Sequence, residues 1–77
     1  MNIIKNEGPA IMKITLNGHL KEIPDFPDLD AFINNHRRTK SPVIAELNGK
    51  IVKDHLWKKT SLREGDQLEL ISFVGGG

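Results

Sequence analysis

Two Asn-Gly dipeptides, Asn17-Gly18 and Asn48-Gly49, each stand between two short runs with strand character. No other feature restricts the fold of this chain so sharply. A tight two-residue hairpin turn needs positive φ at both central positions, and asparagine followed by glycine meets that need best. Before the first dipeptide, Met12, Ile14 and Leu16 alternate with Lys13, Thr15 and Asn17, the period of a strand with one face buried. His19 to Ile23 reads as the return strand, ended by Pro24. Before the second dipeptide, Val43, Ala45 and Leu47 alternate with Ile44 and Glu46, and Lys50-Ile51-Val52 leads back. The spacing predicts two hairpins.

A helix is expected between them. Asp28 stands at a capping position, and Leu29, Phe32 and Ile33 follow at i, i+3 and i+4. The pattern fades over His36-Arg37-Arg38-Thr39-Lys40-Ser41-Pro42, which predicts about two to three turns. The basic cluster from Arg37 to Lys40 suits a helix C-terminus, where the dipole favours cations, and is read as structural rather than as an anion site. Asp54 is expected to cap one turn through His55-Leu56-Trp57. A Glu64-Gly65-Asp66 turn then leads into a last strand, Gln67 to Ser72.

This order predicts an α+β domain, a mixed sheet with one main helix packed on one face. If the first and last strands lie side by side, as in the β-grasp or ubiquitin-like arrangement, the parities agree. Met12, Ile14, Leu16, Val43, Ala45, Leu47, Leu68 and Leu70 then share an inner face with Leu29, Phe32 and Ile33. Ile44, Ile71 and Phe73 point outward. Single exposed apolar side chains are ordinary. An outward trio beside the end of the sequence reads as a docking patch.

With 77 residues the chain is expected to form one small domain over residues 12–72. Residues 1–11, with the Gly8-Pro9 breaker, read as a flexible extension, and residues 73–77 as a flexible glycine tail. Eleven basic and ten acidic residues leave a net charge of +1, so neither nucleic acid nor a membrane surface is an expected partner. The absence of cysteine excludes a disulfide framework, a thiolate metal site and a cysteine nucleophile. No apolar run reaches the ~20 residues of a membrane span, and the start lacks the apolar core of a signal peptide. A cytoplasmic location is expected.

Conventional catalytic patterns are missing. His19, His36 and His55 are too far apart in sequence for metal-ligand spacing, and Ser41, Thr60, Ser61 and Ser72 lack a nucleophile-elbow context. Neither a metal nor a bound cofactor is expected, and no active site of the chain's own. What remains is Phe73-Val74-Gly75-Gly76-Gly77. Without side chains, the glycines can thread a narrow channel in a partner. A terminal carboxylate at Gly77 is ionised at neutral pH and can attack a phosphoryl centre.

From Met12 to Gly77 the chain resembles the sulfur-carrier proteins of thiamin thiazole synthesis, the ThiS family. The resemblance rests on Leu16-Asn17-Gly18, Glu46-Leu47-Asn48-Gly49-Lys50-Ile51-Val52, Trp57, Leu62-Arg63-Glu64-Gly65-Asp66 and Leu70-Ile71-Ser72-Phe73-Val74-Gly75-Gly76-Gly77, in that order. The extension over residues 1–11 lies outside the family pattern. The resemblance implies a β-grasp protein that is not an enzyme but a protein cosubstrate. Gly77 would be adenylated by an E1-like adenylyltransferase that consumes ATP, then converted to a thiocarboxylate. Sulfur would come from a donor protein such as a cysteine desulfurase or a rhodanese-like protein, and would pass to thiazole synthase. By position, Gly75 and Gly76 would thread the partner's site, with Phe73, Val74, Ile71 and Ile44 docking at its mouth. The small subunit of molybdopterin synthase and other β-grasp sulfur carriers resemble the same pattern. A ubiquitin-like modifier and a binding module with an inert tail remain readings of other classes.

Overall fold

Strands β1 (Ile11–Leu16) and β2 (His19–Pro24) form the first hairpin of the computed structural model, which describes residues 11–37 and 40–72. Strands β3 (Val43–Leu47) and β4 (Lys50–Val52) form the second. Both turns have the expected backbone: φ is 50° at Asn17 and 85° at Gly18, 52° at Asn48 and 86° at Gly49. A β-carbon on Gly18 or Gly49 would meet nothing within 4 Å, so the backbone angle and not space requires glycine there. Each turn fixes a register, Leu16 opposite His19 and Leu47 opposite Lys50. Ile11 joins β1, one residue ahead of the alternating run.

Helix α1 spans Leu29–His36, two turns. The Asp28 side chain accepts a hydrogen bond from the Ala31 amide at 2.8 Å, a cap worth about 1 kcal/mol. Leu29 donates its amide to the Thr60 carbonyl at 2.8 Å, tying the start of the helix to a distant loop. At the other end Arg37 acts as a strap. Its Nη2 and Nε donate to Asn34 Oδ1 at 2.8 and 3.2 Å, its Nη1 donates to the Ser41 carbonyl at 3.0 Å, and the guanidinium lies 5.8 Å from the Trp57 ring centroid. For Arg37 the structural reading of the basic cluster therefore holds; Arg38 and Thr39 lie outside the described residues.

One local expectation is corrected. The turn after β4 is a 3-10 helix over Asp54–Lys59, and Lys53, not Asp54, is its cap residue, with no side-chain cap bond. Asp54 falls in the first turn, where a carboxylate is favoured by the dipole without capping. Trp57 on this helix is buried, and its indole Nε1 donates to the Val52 carbonyl at 2.9 Å.

Strand β5 (Gln67–Ser72) completes a five-stranded sheet of order β2-β1-β5-β3-β4. β5 runs parallel to β1 and antiparallel to β3. The first and last strands are thus central neighbours, and α1 packs on one face, as the β-grasp expectation required. Met12, Ile14, Leu16, Ala45, Leu68 and Leu70 from the sheet are buried with Leu29, Phe32 and Ile33 from the helix. Val43 and Leu47 are half-buried against this core. Trp57 completes it, together with Ile23 and Leu62, two residues beyond those expected. The outlying segments 1–10 and 73–77 fall outside the described residues.

Candidate functional site

Strand β5 alternates cleanly. Leu68 and Leu70 face the core, while Gln67, Glu69 and Ile71 are exposed. Ile71 is 48% exposed and stands directly opposite the half-buried Ile44 in the β3–β5 register. Two of the expected docking residues are thereby brought together as a cross-strand apolar pair, a unit of mutual contact on one face of a sheet. The next pair along on that face sets Glu46 against Glu69, like charges in direct register, which weakens strand pairing. Opposite Glu46 on the other side lies Ile51, 66% exposed. The outer face near the end of β5 therefore carries Ile71, Ile44 and Ile51 around a carboxylate pair. A depression of about 280 Å³, lined among others by Ile44, Ile51, Val52 and His55, opens where β4 gives way to the 3-10 helix.

Ile51 was missing from the sequence-based patch, although the turn chemistry contains it. An Asn48-Gly49 turn pairs Leu47 with Lys50, so Ile51 must stand opposite Glu46 and share its outward direction. The remaining expected site residues, Phe73, Val74, Gly75, Gly76 and Gly77, lie outside the described residues. Leu20, on the far edge strand β2, and Ile11, at the start of β1, are also exposed but lie on other strands than this patch.

Both asparagines of the hairpin turns reach β5, a role with no local sequence signal. Asn48 donates its amide to the Gln67 carbonyl at 2.7 Å and accepts from the Gln67 amide through Oδ1 at 2.9 Å. Its Nδ2 donates to Asp66 Oδ1 at 3.0 Å. Asn17 donates its amide to the Leu68 carbonyl at 2.9 Å, and its Oδ1 accepts from the Leu70 amide at 2.8 Å. The strand leading toward the glycines is thus held from both sides by polar contacts far apart in sequence.

The histidines are dispersed. His36 stacks on Phe32 at 5.7 Å, and His19 and His55 are exposed. Among the described residues, no group of three or more His, Cys, Asp or Glu is placed to hold a metal ion. Nor is any helix among them long and apolar enough to cross a membrane.

Three comparisons bear on this arrangement. The crystal structure of a thiamine biosynthesis protein, ThiS, from Geobacter metallireducens matches with a TM-score of 0.63 at 26% identity, covering 86% of this chain and 100% of that one. A protein named thiazole synthase from Paramagnetospirillum magneticum is 27% identical over 66 residues, 86% of this chain. That stretch is 20% of the relative, so this chain spans about a fifth of the length of the protein it matches. The model of the ThiS family matches residues 14–77, a span that takes in the second half of β1, the other four strands, the helix and the glycine run. The chain belongs to the ThiS family.

Proposed function

We propose that the chain is a sulfur carrier for thiazole formation in thiamin biosynthesis, with the carboxyl group of Gly77 as its reacting centre. The observation that carries this reading is the family match, which extends to Gly77 and so takes in Gly75 and Gly76. In the proposed cycle a Gly77 carboxylate oxygen attacks the α-phosphorus of ATP on an E1-like adenylyltransferase, and pyrophosphate leaves. A sulfide-level sulfur donor then displaces AMP and leaves a thiocarboxylate on Gly77. Thiazole synthase takes up that sulfur. A relative named thiazole synthase contains a stretch like this chain within a much longer protein, which supports the pairing. Carrier and consumer on one chain gain the effective concentration that a tether provides. The domain's own part is to dock through Ile71, Ile44, Phe73 and Val74, while Gly75 and Gly76 thread the partner's channel.

Intact mass spectrometry tests the reading. The protein is incubated with the cognate adenylyltransferase, ATP and sulfide. A gain equal to replacing one oxygen by sulfur, lost when Gly76 and Gly77 are deleted, is the expected result. An unchanged mass refutes it. Restoration of thiazole synthase activity by the sulfur-loaded form, and not of molybdopterin synthase, assigns the pathway.

The docking patch has its own test. Ile71→Asp places a charge in the apolar pair with Ile44 but leaves the core untouched, because Ile71 is half exposed and faces away from the helix. The melting temperature is expected to stay within a few degrees, while the rate of adenylation at low carrier concentration falls about 10-fold or more, as for loss of an interface anchor. Loss of cooperative unfolding in this variant would show that Ile71 belongs to the core.

A further inference from the structure

Strand β1 ends at Leu16 and turns back, so its parallel pairing with β5 covers only Thr15 with Gln67 and Leu16 with Leu68. β5 continues for four more residues. Their other edge is fully occupied, with Leu70 opposite Ala45, Ile71 opposite Ile44 and Ser72 opposite Val43 on β3. Backbone groups along a strand alternate between its two edges. The bond between Asn48 and the Gln67 carbonyl places Gln67, Glu69 and Ile71 toward β3, so Leu68 and Leu70 direct their groups toward β1. No residue of β1 remains there to meet the Leu70 amide. Asn17 meets it instead, its main-chain amide serving Leu68 and its Oδ1 serving Leu70, two positions further on. The side chain continues the ladder after the strand itself has turned away.

We infer that Asn17 is a positioning residue for delivery of the glycine tail. Its Oδ1 fixes the path of Leu70 to Ser72, and with it both the outward presentation of Ile71 and the direction in which the chain leaves the sheet. The delivery role rests on the carrier reading above; the clasp itself rests on the hydrogen bonds. Without the clasp, the last residues of β5 are held by β3 alone and open locally from the Ser72 end of the strand. A partner must then order that end as it binds, which weakens encounter rather than chemistry.

The competing explanation is that Asn17 serves only the turn, through its positive φ. Two substitutions separate the two roles. Asn17→Gly suits positive φ at least as well as asparagine and removes the acceptor, whereas Asn17→Asp tolerates the same angle and keeps an acceptor oxygen. Amide hydrogen exchange measured by NMR on the full chain is expected to show Leu70 losing protection about 3- to 10-fold in Asn17→Gly, the effect of one lost hydrogen bond, with Thr15 unchanged. In ATP–pyrophosphate exchange with the cognate adenylyltransferase, the same variant is expected to raise the KM for the carrier several-fold at nearly constant kcat. Asn17→Asp restores both. Asn48→Gly, which releases the opposite end of β5 at Gln67, leaves the KM in place. Unchanged Leu70 protection in Asn17→Gly overturns the clasp. Lost protection with an unchanged KM overturns the delivery role, as does an equal rise in KM for Asn48→Gly. A wild-type chain that supports no exchange refutes the carrier reading instead, before any substitution is compared, and the clasp is then judged by hydrogen exchange alone.

Discussion

Replacement of Gly76 by valine is expected to stop adenylation of Gly77, lowering its rate on the order of 10²-fold, while the melting temperature stays where it is. The two halves of this result have separate causes. Among the described residues the core ends at Leu70, and Gly76 has no side chain to lose, so the substitution is expected to leave that core intact. A β-branched side chain adds bulk and stiffness where the proposed channel admits only backbone, and a displacement of about 1 Å at the reacting carboxylate is enough for a loss of that size. Time courses of intact mass with the adenylyltransferase, beside thermal unfolding of the same preparation, check both halves. Normal turnover would remove the argument that the glycines provide access.

Leu68→Ala is expected to act in the opposite way, on the fold first. Leu68 is 1% exposed on the central strand, in register with Leu16 on one side and Leu47 on the other. Truncating a buried leucine costs about 2–5 kcal/mol. A domain of this size has a total stability of roughly 4–12 kcal/mol. At about 4–8 °C for each kcal/mol, the midpoint should fall by at least ~8 °C. Thermal and urea unfolding followed by circular dichroism measure it. A fall of less than ~5 °C would mean that the site closes around the smaller side chain and that β5 is not the pillar its position indicates.

The contrast between these two substitutions follows from features already legible in the chain. Asn17-Gly18 and Asn48-Gly49 announced both hairpins, because few residue pairs adopt two positive φ angles in succession. Alternation then placed Ile14, Ala45 and Leu68 inside and Ile44 and Ile71 outside. What local pattern could not reach was of two kinds. Leu62 is buried in a segment without strand or α-helical period, so only tertiary packing reveals it, whereas a lone tryptophan such as Trp57 is already expected to pack in or against the core of so small a domain. Ile23 is buried because the first hairpin sets it opposite Met12, a consequence of register that the short return strand does not display by itself. The second kind is contact across long separations. The bond from the Leu70 amide to Asn17 Oδ1 joins residues 53 apart, and the turn preference of asparagine already accounted for its presence. Asp54 shows the reverse error. A good capping residue stands one position inside its helix, because the chain enters from an extended Lys53.

The placement of β5 between β1 and β3 also sets the order of events when the chain is made. The ribosome releases β1 before all the other strands and β5 after them, yet these two are inner neighbours in the sheet. Until residues 67–72 emerge, the two hairpins have no shared strand, and the inner faces of Ile14 and Ala45 have nothing between them to close the core. Contacts this distant in sequence also make assembly slow relative to a helical domain of equal length. A nascent chain interrupted before Leu68 lacks the strand that joins its two hairpins, each marginal on its own, and is therefore open to proteolysis. Synthesis of β5 and completion of the fold are one event, so a partner of the proposed docking face would meet only chains translated through Ser72.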